Sequence, residues 1–283
     1  MVKMLKISIL NLMIIFFLSC SSQNISDKEK IEINYNQGIE FYNKGKYSKA
    51  RESFKYVILH SLGSRLALES EFYLSESLYE LGEYEEALYG YDNYARSSQN
   101  IELIELSRFR LCQCAFNLTV DYKKDQVATM DALEKIAIFL EDYPESQYYS
   151  KIMLIKSELI YRLAKKEYES AVLYIKLQEY KSALIYLFEI LSDYFPLESS
   201  FQTSNNQSGQ YNMYLKELLD NTKILIIYSY LFDEKVDMAN KFYNAQINNF
   251  YTESNREKAY MLLNSNNLSK FDIWKDIYWG FSK

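Results

Sequence analysis

The amino-acid sequence predicts an all-α fold, a superhelical solenoid of about five helical hairpins closed by a C-terminal capping helix. Three observations predict it. Helix breakers are scarce, with two prolines and seven glycines in 283 residues, while the good helix formers Leu, Ala, Glu and Lys are abundant. From Ile31 onward a small residue, an aromatic and a short polar turn recur at matching offsets, so that Ala50 and Ala87 occupy equivalent places. Finally, the chain behind its leader is long for one hydrophobic core and ordinary for a stack of repeats.

Residues 1–19 differ in kind from the rest. Lys3 and Lys6 precede an apolar run from Ile7 to Leu18 that is too short to span a bilayer and reads as a signal peptide. The run ends in Phe17-Leu18-Ser19-Cys20, a small residue before a cysteine where a lipoprotein signal peptidase cuts, although Leu stands at 18 where the usual pattern has it at 17. Cys20 is therefore the expected lipid-attachment site, an acylated N-terminus that anchors the chain to a membrane. Residues 20–30 would form a lipidated tether. The net charge of −6 becomes more negative once Lys3 and Lys6 leave with the leader. With Lys and Arg interleaved among Glu and Asp, no basic stripe suited to nucleic acid remains.

The repeats follow in order over 31–195. In the first, Gly38 stands three residues before Phe41, Lys44-Gly45-Lys46-Tyr47 makes a turn, and Ala50 precedes Phe54 by four. Gly38 and Ala50 are small where two antiparallel helices must approach closely. The second carries Leu74, Ser75 and Leu78, the turn Leu81-Gly82-Glu83-Tyr84, then Ala87 and Tyr91. In the third, a helix from Glu105 to Leu118 and a longer connection over 117–128 precede Ala132, Ile136 and Phe139, with a stop at Tyr143-Pro144. The fourth has Ala171 and Tyr174, a turn at Leu177-Gln178-Glu179-Tyr180, then Ala183, Leu187 and a stop at Tyr194-Phe195-Pro196. Residues 196–212, rich in Ser, Asn and Gln, read as a flexible insertion. Over 213–283, helices from Tyr214 to Leu231 and Glu234 to Phe250, with Ala239 and Tyr243, make the fifth repeat. A last helix places Phe271, Trp274, Tyr278 and Phe281 at helical spacing, as a cap on the final apolar face or as a partner surface.

The paired offsets, a small residue then an aromatic on the first helix and Ala then an aromatic four later on the second, resemble the tetratricopeptide repeat. Together with the lipobox, and most closely over Ala132 to Lys181, the chain resembles the BamD or YfiO-like family of outer-membrane assembly lipoproteins. That resemblance implies one long helix shared by the third and fourth repeats. It also implies a non-enzymatic scaffold facing the periplasm at the outer membrane, which binds unfolded outer-membrane proteins and the periplasmic domains of the β-barrel assembly core subunit. It implies no small-molecule substrate and no cofactor. Two other roles suit the same solenoid: a lipoprotein coordinating cell-envelope growth or division, and a surface-displayed lipoprotein.

Catalytic patterns are missing from the sequence. The single histidine, His60, lies beside a Ser-Leu-Gly turn and reads as a helix terminus rather than a triad member. Cys112 and Cys114, two apart on one helix, have diverging Cβ vectors and read as buried small residues, neither a bridge nor metal ligands. Neither a phosphate loop nor a Cys or His cluster occurs, so an enzyme is not expected. A binding face is easier to place. Aligning Gly38 with Ser75 matches Tyr35 to Phe72, Ile39 to Glu76 and Tyr42 to Tyr79, each set on one helical face. With Arg108 at the corresponding place of the third repeat, to meet a terminal carboxylate, these residues read as a groove for an extended peptide. The alternative is that a chain with 28 tyrosines carries them on every face.

Overall fold

The structure, a computed structural model, describes residues 26–198 and 209–264, the side chains of 195–198 and 209–212 excepted. These residues form eleven α-helices and no strand. They are α1 (Asp27–Asn43), α2 (Tyr47–His60), α3 (Arg65–Glu80), α4 (Tyr84–Ser97), α5 (Ile101–Asn117), α6 (Val127–Asp142), α7 (Tyr149–Lys176), α8 (Tyr180–Glu198), α9 (Gly209–Phe232), α10 (Val236–Gln246) and α11 (Glu253–Asn264). The chain divides into two compact units at Gly82 and Glu83, inside the turn that joins the two helices of the second repeat. The fold is a run of tetratricopeptide-like helical hairpins.

The first unit holds α1, α2 and α3. Ser26 caps α1 by accepting from the Glu29 amide (3.2 Å), and Asp27 and Glu29 sit in the first turn, where the helix dipole favours negative charge. At the other end the Lys46 amide reaches back to the Phe41 carbonyl (2.8 Å) and the Gly45 amide to Tyr42 (2.9 Å). Gly45 itself adopts φ +67°, the left-handed stop that a residue without Cβ adopts freely. The same turn recurs in the second unit, where the Glu179 amide bonds the Tyr174 carbonyl and the Lys235 amide bonds Tyr230. There the left-handed positions are taken by Gln178 (φ 63°) and Glu234 (φ 60°). Within the first unit Gly38 packs directly on the fully buried Phe54, so closely that an added Cβ would lie 2.6 Å from the ring.

The second unit runs from α4 to α11. Its helix α7, 28 residues long, gives Ile152 and Leu159 to one apolar cluster with Phe109, Cys112, Ala132, Ile136 and Phe139 of α5 and α6. It gives Ile160, Ala164, Tyr168 and Ala171 to a second cluster with Ala183 and Leu187 of α8 and Leu218 of α9. It is thus the single long helix shared between the third and fourth repeats. Residues 221–230 of α9 are buried on every side, the apolar run Ile224–Tyr228 together with the polar Asn221, Thr222, Lys223 and Ser229. The long connection 118–126 is pinned to α7: Arg162 donates to Thr119 Oγ1 (2.7 Å) and Lys166 to the Lys124 carbonyl (2.9 Å).

Three details depart from the sequence expectations. Helix α8 runs through Pro196 to Glu198 and α9 begins at Gly209, so helices take up both ends of the stretch 196–212; residues 199–208 lie outside the described residues. A proline in the last turn of a helix disrupts only one turn upstream, which is why the helix ends past it and not before it. Helix α11, unassigned by periodicity, follows a short 3₁₀ turn at Ile247–Asn249.

Candidate functional site

In the first unit, the residues aligned as a groove belong to α1 and α3, which contact each other directly. The Tyr35 hydroxyl donates to Glu69 (3.1 Å) and the Tyr42 hydroxyl to Glu76 (3.1 Å), two clasps with the same 34-residue offset. Tyr35 also sets its ring edge against Phe54 (6.3 Å), and Tyr42 does so against Tyr73 (5.6 Å). Burial, then the Glu69 carboxylate, push the Tyr35 hydroxyl above its ordinary range. Phe72 and Glu76 are buried, at 5% exposure each, with the Phe72 ring edge-on to Tyr73. Tyr35, Ile39, Tyr42 and Tyr79 are half-buried. Of the aligned set, then, Tyr35, Ile39, Tyr42 and Tyr79 reach the surface, while Phe72 and Glu76 lie beneath it.

Arg108 belongs to the second unit. Its Nη1 donates to Asp92 Oδ1 (3.0 Å), and Arg96, one turn along α4, binds the other carboxylate oxygen. Arg108 and Asp92 line a cavity of about 380 Å³ walled by α4, α5 and α6. Its lining includes Leu88, Leu111, Cys112 and Phe139, with Arg96 and Lys135 beside them and Asp142 and Tyr143 at the end of α6. Cys112 is a free buried thiol that donates to the Lys135 carbonyl (3.5 Å). Burial pushes it up to about 12, against the opposing pull of Lys135 and Arg108. Cys114 is also free and buried.

A second polar centre was not anticipated. Asp220 and Lys223 of α9 are fully buried and paired (3.2 Å). The Asp220 carboxylate accepts from the amides of Tyr251 (3.0 Å) and Thr252 (3.1 Å) and from Asn255 Nδ2 (3.3 Å), which caps the start of α11. Lys223 also donates to the Asn249 carbonyl and sits over the rings of Phe250 and Tyr251. The sequence clue was an Asp and a Lys three apart beside the apolar run Ile224–Ile227 of one helix, where buried charges are costly unless paired. His60 closes α2, its ring stacked on Tyr56 and its Nδ1 2.8 Å from the Tyr56 carbonyl. Among the described residues, no group of three His, Cys, Asp or Glu is arranged to hold a metal ion, and no helix is long and apolar enough to cross a membrane.

Comparison with known families decides the identity. The model of the YfiO family, described as outer membrane lipoprotein, matches residues 27–215, well over half of the chain. The chain belongs to the YfiO family. That assignment covers α1 to the start of α9 and so includes both the tyrosine clasps and the cavity. No curated protein sequence matches the chain. Solved structures similar to this YfiO-family chain include a thermophilic TPR protein of Thermus thermophilus, at 13% identity, covering 82% of this chain and 98% of that one with a TM-score of 0.34. Another is the TPR2AB domain of yeast Sti1 in its pHSP90 complex, at 14% identity, 83% and 98% coverage and a TM-score of 0.38. The leader with Cys20 and the C-terminal residues Phe271, Trp274, Tyr278 and Phe281 lie outside the described residues.

Proposed function

We propose that this YfiO-family chain is a non-enzymatic scaffold lipoprotein of the machinery that assembles β-barrel proteins in the outer membrane. In this reading Cys20 carries the lipid anchor and the repeats face the periplasm. The α1–α3 surface receives segments of unfolded barrel proteins, and the C-terminal region, including Trp274, docks the periplasmic domains of the core barrel subunit. The family match over 27–215 carries the reading. The half-buried tyrosines support it, since aromatic rings fixed by neighbours offer large contact area at low entropic cost.

Pull-down from detergent-solubilised envelopes tests it. Recovery of a barrel protein with tandem periplasmic domains is the expected result, and recovery of peptidoglycan enzymes alone would overturn it. Ile39→Ala with Tyr79→Ala should weaken binding of a barrel protein's C-terminal peptide about fivefold or more, the loss of roughly 1 kcal/mol at an aromatic anchor, while core-subunit docking survives. Trp274→Ala should do the reverse. Cys20→Ala should release the chain from membranes or leave its leader uncut, and a processed mutant that still sediments with membranes would refute the anchor.

A further inference from the structure

At one end of the first unit, a turn with two exposed leucines lies beside the point from which the chain leads back to Cys20. Helices α1 and α2 are joined by a short turn and run antiparallel, so the end of α2 returns to the beginning of α1. Two contacts fix the register. Gly38 packs on Phe54 of α2, which puts residues 61–64 level with the first turn of α1. The Tyr35 hydroxyl meets Glu69 of α3, which puts Arg65, the first residue of α3, level with Ile31. At this end Leu59 is 69% exposed and Leu62 78%. From Leu59 to Ser64 the chain carries no Lys, Arg, Asp or Glu, and its polar groups are bonded internally. Ser61 Oγ donates to the Val57 carbonyl (2.6 Å), Ser64 Oγ accepts from the Ala67 amide (3.1 Å), and the Ser64 amide donates to the Ser61 carbonyl (2.9 Å). His60 stacks on Tyr56 with its Nδ1 2.8 Å from the Tyr56 carbonyl. Taking this turn out of water therefore strands few polar groups, while two leucine side chains gain from the transfer.

We infer that the turn from Leu59 to Ser64 lies against the membrane, with Leu59 and Leu62 in the interfacial layer of the leaflet that holds the acylated Cys20. The inference rests on the Cys20 anchor proposed above. Cys20 stands six residues before Ser26, and a chain of that length reaches at most about 20 Å. An anchored Cys20 thus holds this end of the first unit near the lipid surface. The turn at Lys44–Tyr47 lies a helix length away, about 25 Å for the 17 residues of α1. So short a tether keeps the leucines at high effective concentration beside the bilayer, and two side chains that would bind lipid only marginally alone then remain in contact.

Depth-dependent quenching tests it on the full acylated chain, reconstituted in vesicles of phosphatidylethanolamine and phosphatidylglycerol. An environment-sensitive fluorophore is attached to Leu62→Cys or, as the distant control, to Lys44→Cys. Cys112 and Cys114 are buried, so the new cysteine is the one that reacts in the folded chain. Doxyl-labelled lipid should quench the probe at 62 about twofold or more, as expected for a group about 5–10 Å into the headgroup and acyl boundary, and leave the probe at 44 unchanged. Leu59→Glu in the Leu62→Cys chain should abolish most of that quenching, because a carboxylate resists the transfer. A chain that sediments with the vesicles while the two probes are quenched equally would overturn the membrane contact and leave the anchor standing. Undiminished quenching in the Leu59→Glu chain would overturn the role of the leucines. A wild-type chain that stays in solution would overturn the anchor, and the contact with it.

Discussion

Replacing Gly38 by alanine sets two opposed effects against each other. Alanine is favoured over glycine inside a helix by about 1 kcal/mol. The new methyl would lie 2.6 Å from Phe54 Cε1 and 2.9 Å from its Cδ1 and Cζ, where carbon atoms prefer about 3.5–4.0 Å. The ring must therefore retreat by about 1 Å. It has little room, because Phe54 is fully buried and stacked on Tyr73 at 5.6 Å. Overpacking of this kind costs about 1–3 kcal/mol, so Gly38→Ala should destabilise by up to about 2 kcal/mol net of the helix gain. Urea unfolding followed by far-ultraviolet circular dichroism measures it. In a Phe54→Leu background the narrower side chain frees the space, and the same Gly38→Ala change should turn neutral or stabilising, a coupling of about 1 kcal/mol or more. A stabilising Gly38→Ala in the wild-type background would show that the close approach of α1 and α2 is not what fixes glycine here.

Asp220→Ala leaves Lys223 buried without its carboxylate, and should cost about 3–5 kcal/mol, whereas Asp220→Leu with Lys223→Met should cost much less; hydrogen exchange in α11 reports the loss of its cap, and additive costs would refute the coupling. Gln178→Gly and Glu234→Gly relieve left-handed backbone and should each stabilise by up to about 1 kcal/mol in the same unfolding assay; destabilisation would mean the side chains matter more than the backbone. Cys112 holds its proton in the folded state up to about 12, above the ordinary 9.0, while the unfolded thiol releases it. Its contribution is therefore complete below about pH 9 and is lost as pH rises towards 12, by at most about 1.4 kcal/mol per pH unit. Cys112→Ala should remove that slope, and equal slopes for the two proteins between about pH 8 and 10.5 would show that the thiol ionises freely when folded.

Much of the fold was legible in local patterns, because the turns and close approaches of a repeat are set within a few residues. Lys44 to Tyr47 and Leu177 to Tyr180 turn where the sequence places them, and Gly38 meets Phe54 at an approach that leaves no room for a Cβ. The interior small positions Ala132, Ala171, Ala183 and Ala239 are all fully buried, as the period requires. The sequence also aligned candidate groove residues on α1 and α3, by equivalent positions and not by contact. Only tertiary structure pairs Tyr35 with Glu69 and Tyr42 with Glu76, since which carboxylate a hydroxyl meets depends on how far α3 is displaced along α1. For the same reason Arg108, aligned with Tyr35 by position, proves instead to share Asp92 with Arg96 in a cavity made by three helices. Asp220 and Lys223 are the extreme case: in sequence they are two of the four charges of α9, beside Lys216 and Glu217, and only burial against the turn before α11 makes them a cap, because an unpaired charge there would be too costly to keep.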